Sequence, residues 1–446
     1  MSERITAGLP ADFVWGAATA SYQVEGAVHA DGRGPSIWDV FCATPGAVAH
    51  GHTGEKAVEQ YNRYPEDVAL MRELGLHRYR FSIAWPRVQP NGSGKPNTRG
   101  FEYYGRLVDE LLAAGIEPAV TLYHWDLPQA LQDAGGWPER DTAYRFAEYA
   151  ELCYRALGDR VKSWITLNEP YCSAVLGYLE GVHAPGERDR PRAYRAIHHL
   201  MLAHGLALEA FRAGGYDGEI GITLNTQTPC PATQREDDRA AADRAADLQT
   251  RMFLDPVVHG SYPERHLAAY PEVSMPIEDG DMRLIAKPID FLGLNWYWED
   301  VAAADSEHPE GFRLCPRYQD GTDMGWPVVP RGFYRHLRRL NELANGIPIY
   351  VTENGCAMPD ELSADGTRCH DPRRVAYLRD HIEAMRDAWR DGVNLKGYFV
   401  WSFIDNFEWS FGYTKRFGIV YCDYVDCRRV PKDSFYFYRD VVAGHE

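Results

Sequence analysis

Eight short β-rich runs recur from one end of the 446-residue chain to the other, and they limit its fold more than any other feature. They are Phe13–Ala20, Arg78–Trp85, Pro118–Trp125, Ser163–Glu169, Glu219–Asn225, Phe291–Tyr297, Pro348–Glu353 and Lys396–Phe403. Apolar residues at helical spacing fill the intervals, as in Val68, Met71 and Leu74, or Phe101, Tyr104, Leu107 and Leu111, the latter stopped by Gly115. Arg373–Arg390 reads as another helix. Strands of near-continuous apolar character that alternate with helices form a parallel sheet covered on both sides. Eight of them within one composition zone predict an α/β fold, a single (β/α)8 barrel domain over residues 1–446. An open doubly wound sheet is the alternative that pattern alone leaves standing. No linker, repeat or low-complexity tract interrupts the chain, and Pro229–Ala246 reads as a loop followed by a solvated helix.

Lysine and arginine number 47 against 64 aspartates and glutamates, a formal net charge of −17 with no long basic run to offset it. That balance disfavours nucleic acid and anionic membrane partners and favours a small neutral ligand. The 12 Trp and 27 Tyr suit such a ligand if it is a sugar, because aromatic faces pack on the C–H faces of sugar rings in water. Of the nine cysteines only Cys422 and Cys427 are close, so reduced thiols are expected, not a disulfide ladder or a Cys-x-x-Cys metal site. The histidines show no His-Glu-x-x-His spacing, and the neighbours His198 and His199 diverge on a helical stretch, so no metal is expected. The first ten residues lack the apolar stretch of a secretory signal, and no run approaches the roughly 20 apolar residues that span a bilayer. A cytoplasmic protein is expected, with homo-oligomerisation left open.

Barrel active sites sit where strands end and loops begin. Gln23 follows the first run, Arg80 lies in the second, and His124-Trp125 closes the third. Asn168-Glu169 closes the fourth, Asn295 and Tyr297 the sixth, Glu353-Asn354 the seventh, while Trp401 and then Glu408-Trp409 lie on or after the eighth. Carboxylates, amides and indoles thus collect at one end. Two carboxyl groups on opposite sides of a glycosidic bond can cleave it, one protonating the leaving oxygen and the other attacking the anomeric carbon. Glu169 and Glu353 are the candidates, since the ends of strands four and seven face each other across a barrel mouth. Arg80 is a natural partner for an ionised Glu353, because a nearby cation lowers a carboxyl pKa; Tyr297 can donate a hydrogen bond to it, and Asn295 joins them as support. A lone glutamate at a strand end is more often a salt bridge or helix cap. Here each acid follows a β run and has an amide beside it.

Thr166-Leu167-Asn168-Glu169-Pro170 and Val351-Thr352-Glu353-Asn354-Gly355 resemble the acid/base and nucleophile motifs of glycoside hydrolase family 1, the β-glucosidase family. Phe13 to Ser21, Tyr79 to Arg87, Tyr123 to Pro128 and Trp401 to Trp409 are similarly close to family segments, so the resemblance runs almost end to end. It implies a barrel without metal or organic cofactor that hydrolyses small β-glycosides with retention, Glu169 as acid/base and Glu353 as nucleophile. The implied activity is that of an exo-acting β-glucosidase on cellobiose-like oligosaccharides or aryl and alkyl β-glucosides, in polysaccharide degradation. Alternatives are a β-galactosidase, a β-fucosidase or a transglycosylating member; a non-hydrolytic sugar-binding barrel, or a lyase or aldolase lacking any candidate lysine or metal, fits less well.

By matching positions, Gln23, His124 with its neighbour Trp125, Asn168, Glu408 and Trp409 bind the hydroxyls of the cleaved sugar, Trp401 stacks on its ring, and Trp326 forms the platform under the leaving group. Family members acting on 6-phosphorylated sugars have a small residue in place of Trp409, and Glu408 is expected to repel a phosphate, so an unphosphorylated sugar is implied. One departure is Asn295-Trp296-Tyr297-Trp298, where the family more often has Asn-Tyr-Tyr. Strand alternation keeps Asn295 and Tyr297 on one face and turns Trp296 away, leaving Trp298 to reshape the rim.

Overall fold

The computed structural model describes residues 5–315 and 321–445. Eight strands form its centre: β1 (Val14–Ala18), β2 (Arg78–Ser82), β3 (Glu117–Tyr123), β4 (Ser163–Asn168), β5 (Glu219–Leu224), β6 (Phe291–Asn295), β7 (Ile349–Asn354) and β8 (Leu395–Trp401). Each overlaps one of the expected runs. All neighbours are parallel, and β1 pairs with both β2 and β8, so the sheet closes into a barrel and the open-sheet alternative falls. Every residue of β4, β6 and β7 is buried, because the inner face fills the barrel while the outer face meets helices; this explains their continuous apolar character.

The helices begin and end where the sequence places their signals. Thr98–Ala113 buries Tyr104, Leu107 and Leu111 and stops where Gly115, at φ +77°, donates its N–H to the Leu112 carbonyl. Pro372–Arg390 opens on a proline at its first turn, where the missing N–H has no intrahelical partner to lose. At the barrel floor Arg78, the first residue of β2, reaches Glu117 at 2.9 Å and Glu219 at 2.6 Å, clamping the starts of β3 and β5. The opposite, C-terminal end is left to the loops.

One of those loops is more ordered than expected. Cys230–Pro231, Val301–Ala304 and Phe312–Cys315 make a three-stranded sheet beside the mouth. Helix Glu236–Ala246 covers it, burying Asp238, Ala241 and Ala242, and Asp238 accepts the Ala304 N–H at 2.9 Å. The helix is therefore solvated on one side only. Its small sheet is held by partners some 70 residues away in sequence, which local pattern does not display.

Among the described residues no helix is long and apolar enough to cross a membrane, and no group of three or more His, Cys, Asp or Glu side chains could hold a metal ion. All nine cysteines are free thiols.

Candidate active site

Strand register slips where the two glutamates sit. Between β4 and β5 the pairing runs to Ile165 with Gly221 and resumes at Asn168 with Thr223; between β7 and β6 it passes from Val351 with Leu294 to Glu353 with Asn295. Each glutamate-bearing strand thus carries one residue more than its neighbour. An extra residue of this kind bends the strand and re-aims the side chains beyond it. Glu169, one residue past β4, also sits at φ +44°, and Trp125 and Trp409 have φ of +76° and +50°. A non-glycine residue in this region costs on the order of 1–3 kcal/mol and persists only where its surroundings enforce it.

One hydrogen-bonded net joins both acids. Arg80, fully buried, donates from Nη1 to Glu353 Oε1 at 2.5 Å, from Nη2 to Asn168 Oδ1 at 2.6 Å and from Nε to Thr121 Oγ1 at 3.1 Å. Tyr297 Oη donates to Glu353 Oε2 at 2.6 Å. Asn295 Nδ2 donates to Glu169 Oε1 at 2.5 Å and Asn168 Oδ1 at 3.0 Å, and its own Oδ1 accepts from Thr352 Oγ1 at 2.8 Å. Asn168 thus lies between the two acids, its Oδ1 accepting from Arg80, which holds Glu353, and from Asn295, which holds Glu169.

The two acids differ electrostatically. Burial, reinforced by the charge of Glu353, pushes Glu169 up to about 7. Burial raises Glu353 as well, but Arg80, Tyr297 and Asn295 all pull against it. The expected lowering by Arg80 is present as a contribution; the net direction is upward because the carboxyl is completely buried.

Both glutamates line a cavity of about 560 Å³ at the barrel mouth, with His124, Trp125, Asn295, Tyr297, Trp326, Trp401, Glu408 and Trp409 in its wall. Arg80, Gln23 and Asn168 lie behind that wall, hydrogen-bonded to residues in it. Gln23 Nε2 bonds Asn406 Oδ1 at 3.0 Å and the Phe407 carbonyl at 2.9 Å, and lies 3.5 Å from Glu408 Oε2. Asn168 Nδ2 meets His124 Nε2 at 3.0 Å, while Trp125 Nε1 donates to the Asn168 carbonyl at 2.9 Å. Gln23 Oε1 and His124 Nδ1 are buried without a protein partner. The ring of Trp401 is stacked with His124, centroids 5.9 Å apart.

Glu408 is pushed up to about 8 by burial and by the charges of Glu353 and Glu169. It therefore holds a proton near neutrality, and the expected repulsion of a phosphate applies only at higher pH. At the rim, Trp296 is turned away as expected, stacked on Phe333 at 4.9 Å and 27°. Trp298 does shape the rim: it stacks on Trp326 at 4.5 Å and 23°, its indole N–H donating to Asp300 at 3.0 Å. Sequence reading passed over Cys172, Asn225 and Phe417, which also line the cavity. Cys172 lies one helical turn past Glu169, a spacing that could have marked it.

The loops behind the wall are fixed by buried charge. Arg374 bonds Asp371 and Asp360, Lys432 bonds Asp360 and Asp405, and Arg416 bonds Asp405. Arg374 also donates to the carbonyls of Met358 and Arg416, tying the loop after β7 to the loop after β8. These loops meet closely at Gly355, where an added Cβ would stand 1.8 Å from the Trp401 carbonyl oxygen. Gly355→Ala is expected to cost roughly 2–3 kcal/mol by overpacking, read as a lower urea midpoint together with lost activity. An unchanged midpoint would mean that the two segments part freely.

A cavity that can deliver a proton to one oxygen while a second carboxylate attacks the carbon behind it is equipped to split glycosidic bonds, and the chain is a glycoside hydrolase. More narrowly, it belongs to glycosyl hydrolase family 1, whose sequence model matches residues 5–446. It is 48% identical to β-glucosidase A of Thermotoga maritima over 98% of both chains. It is 46% identical to a bifunctional β-D-glucosidase/β-D-fucosidase of Bifidobacterium breve, again over 98% of both. The solved family 1 β-glucosidase from Thermotoga maritima superposes with a TM-score of 0.95 at 47% identity, covering 98% of each chain.

Proposed function

We propose that the chain is a retaining β-glucosidase, with Glu169 as acid/base and Glu353 as nucleophile in a barrel domain that spans residues 1–446. The observation that carries this reading is the single hydrogen-bonded net across the barrel mouth, in which Arg80 joins Glu353 to Asn168 and Asn295 joins Asn168 to Glu169. Membership of the family supports retention, in which the two carboxyls lie roughly 5–5.5 Å apart and not at the roughly 6.5–9.5 Å that admits a water between them.

Glu169, protonated near neutrality, donates to the glycosidic oxygen as Glu353 Oε attacks the anomeric carbon; the C–O bond breaks and an ester to Glu353 forms. Glu169, now a carboxylate, takes a proton from water, whose oxygen attacks the same carbon and releases Glu353. Arg80 and Tyr297 support the charge that Glu353 carries before attack and regains on release. His124 Nδ1, in the cavity wall, is poised for a sugar hydroxyl, since a buried polar atom without a partner is costly. Trp401 offers a face to the ring, and Trp326 with Trp298 a platform to the leaving group. The relatives' names support glucose as the sugar, and that of the Bifidobacterium breve enzyme supports fucose as a second substrate. Free thiols throughout support a reducing compartment such as the cytoplasm.

Nitrophenyl β-glycosides test the reading. The glucoside should turn over fastest and the fucoside measurably, and folded enzyme inactive on every sugar would overturn it. Because Glu353 must be ionised and Glu169 protonated to start the reaction, kcat/KM is expected to follow a bell, with an acidic limb from Glu353 and an alkaline limb that falls as pH rises through about 7. An alkaline limb well above pH 9 would assign the proton to another group.

A further inference from the structure

Glu169 has two close partners, and only one of them is an amide. The N–H of Cys172 donates to the Glu169 carbonyl at 2.9 Å, closing a turn that brings Sγ to 3.0 Å from Glu169 Oε2. The thiol lines the cavity and is almost completely buried. Asn225 Nδ2 donates to the same sulfur at 3.6 Å, and Asn225 is held in turn by Gln249 Nε2 on its carbonyl at 3.1 Å. The sulfur lone pairs thus have a donor of their own, and the S–H is left for Glu169.

We propose that Cys172 is a positioning residue for Glu169, gripping Oε2 while Asn295 grips Oε1, and keeping that grip through both protonation states. Burial and the neighbouring carboxyl raise the thiol far above its ordinary range, so it remains S–H and does not act as a nucleophile. As a weak donor and weak acceptor on one rotatable bond, it can donate to the carboxylate or accept from the carboxylic acid. An aliphatic side chain offers neither. The hydrogen bond supports the ionised form and so restrains the upward push of burial on Glu169. The other titratable or charged groups facing Glu169 are Glu353, Arg80, Tyr297 and Glu408, and all of them remain when Cys172 is changed.

The inference rests on Glu169 being the proton donor, and pH profiles of kcat/KM on 4-nitrophenyl β-glucoside test it. Cys172→Ala should move the alkaline limb up by roughly half a pH unit, because the carboxylate loses a donor. Cys172→Ser, which restores a hydroxyl donor, should return the limb to the wild-type position or below. A limb that stays fixed in Cys172→Ala, whatever happens to KM or Tm, is the behaviour of a space-filling side chain and overturns the proposal. The assignment of Glu169 fails separately: a Glu169→Ala enzyme slowed equally on all leaving groups would remove the acid itself.

Discussion

Glu353→Ala is expected to lose at least about 10⁴-fold in kcat on aryl β-glucosides, a barrier increase of roughly 5–6 kcal/mol, because the atom that forms the covalent bond is gone. The Asn295, Glu169 and Trp401 side chains remain, so substrate should still bind and be protonated. The truncation opens space on the face from which Glu353 attacks, and azide or formate placed there can take over the displacement. Activity should return with either anion, and the product should be the α-configured azide or formate ester, one displacement having replaced two. Proton NMR of the anomeric signal checks this. Rescue that yields a β product would exchange the roles of the two acids.

Glu169→Ala should separate substrates by leaving group. A dinitrophenyl glucoside departs without a proton and should lose little in glycosylation, whereas phenyl or alkyl glucosides should slow by about 10²–10⁴-fold, the usual worth of general acid catalysis. The covalent intermediate should then accumulate, since no base remains to activate water. Azide should relieve it and give the β-glycosyl azide. Together the two variants yield opposite anomers from the same added nucleophile, an outcome that a damaged cavity does not imitate.

The barrel was legible because its strands are buried on both faces and its helices carry separate stop signals such as Gly115. The candidate acids were legible because strand ends, amide neighbours and family motifs coincide at Glu169 and Glu353. Three features were not. The register slips before Asn168 and Glu353 depend on which strand lies alongside, and nothing in a single run marks them. The protonation of Glu408 reflects its burial and then the charges of Glu353 and Glu169, which come from other strand ends. Cys172 looked like any small buried thiol until the turn after Glu169 brought its sulfur to the carboxyl. In each case the missing information is a neighbour distant in sequence or a turn angle, both of which are products of folding.

The buried set of Arg374, Lys432, Arg416, Asp360, Asp371 and Asp405 has three charges of each sign. Removing one partner of such a set leaves an uncompensated buried charge at about 3–5 kcal/mol, a large part of a protein's whole stability. A lineage therefore cannot drift through these positions one substitution at a time: Lys432 has no neutral path away from Asp360 and Asp405 unless an acid changes with it. The loops behind Glu353 and Trp409 are in this way insulated from gradual change.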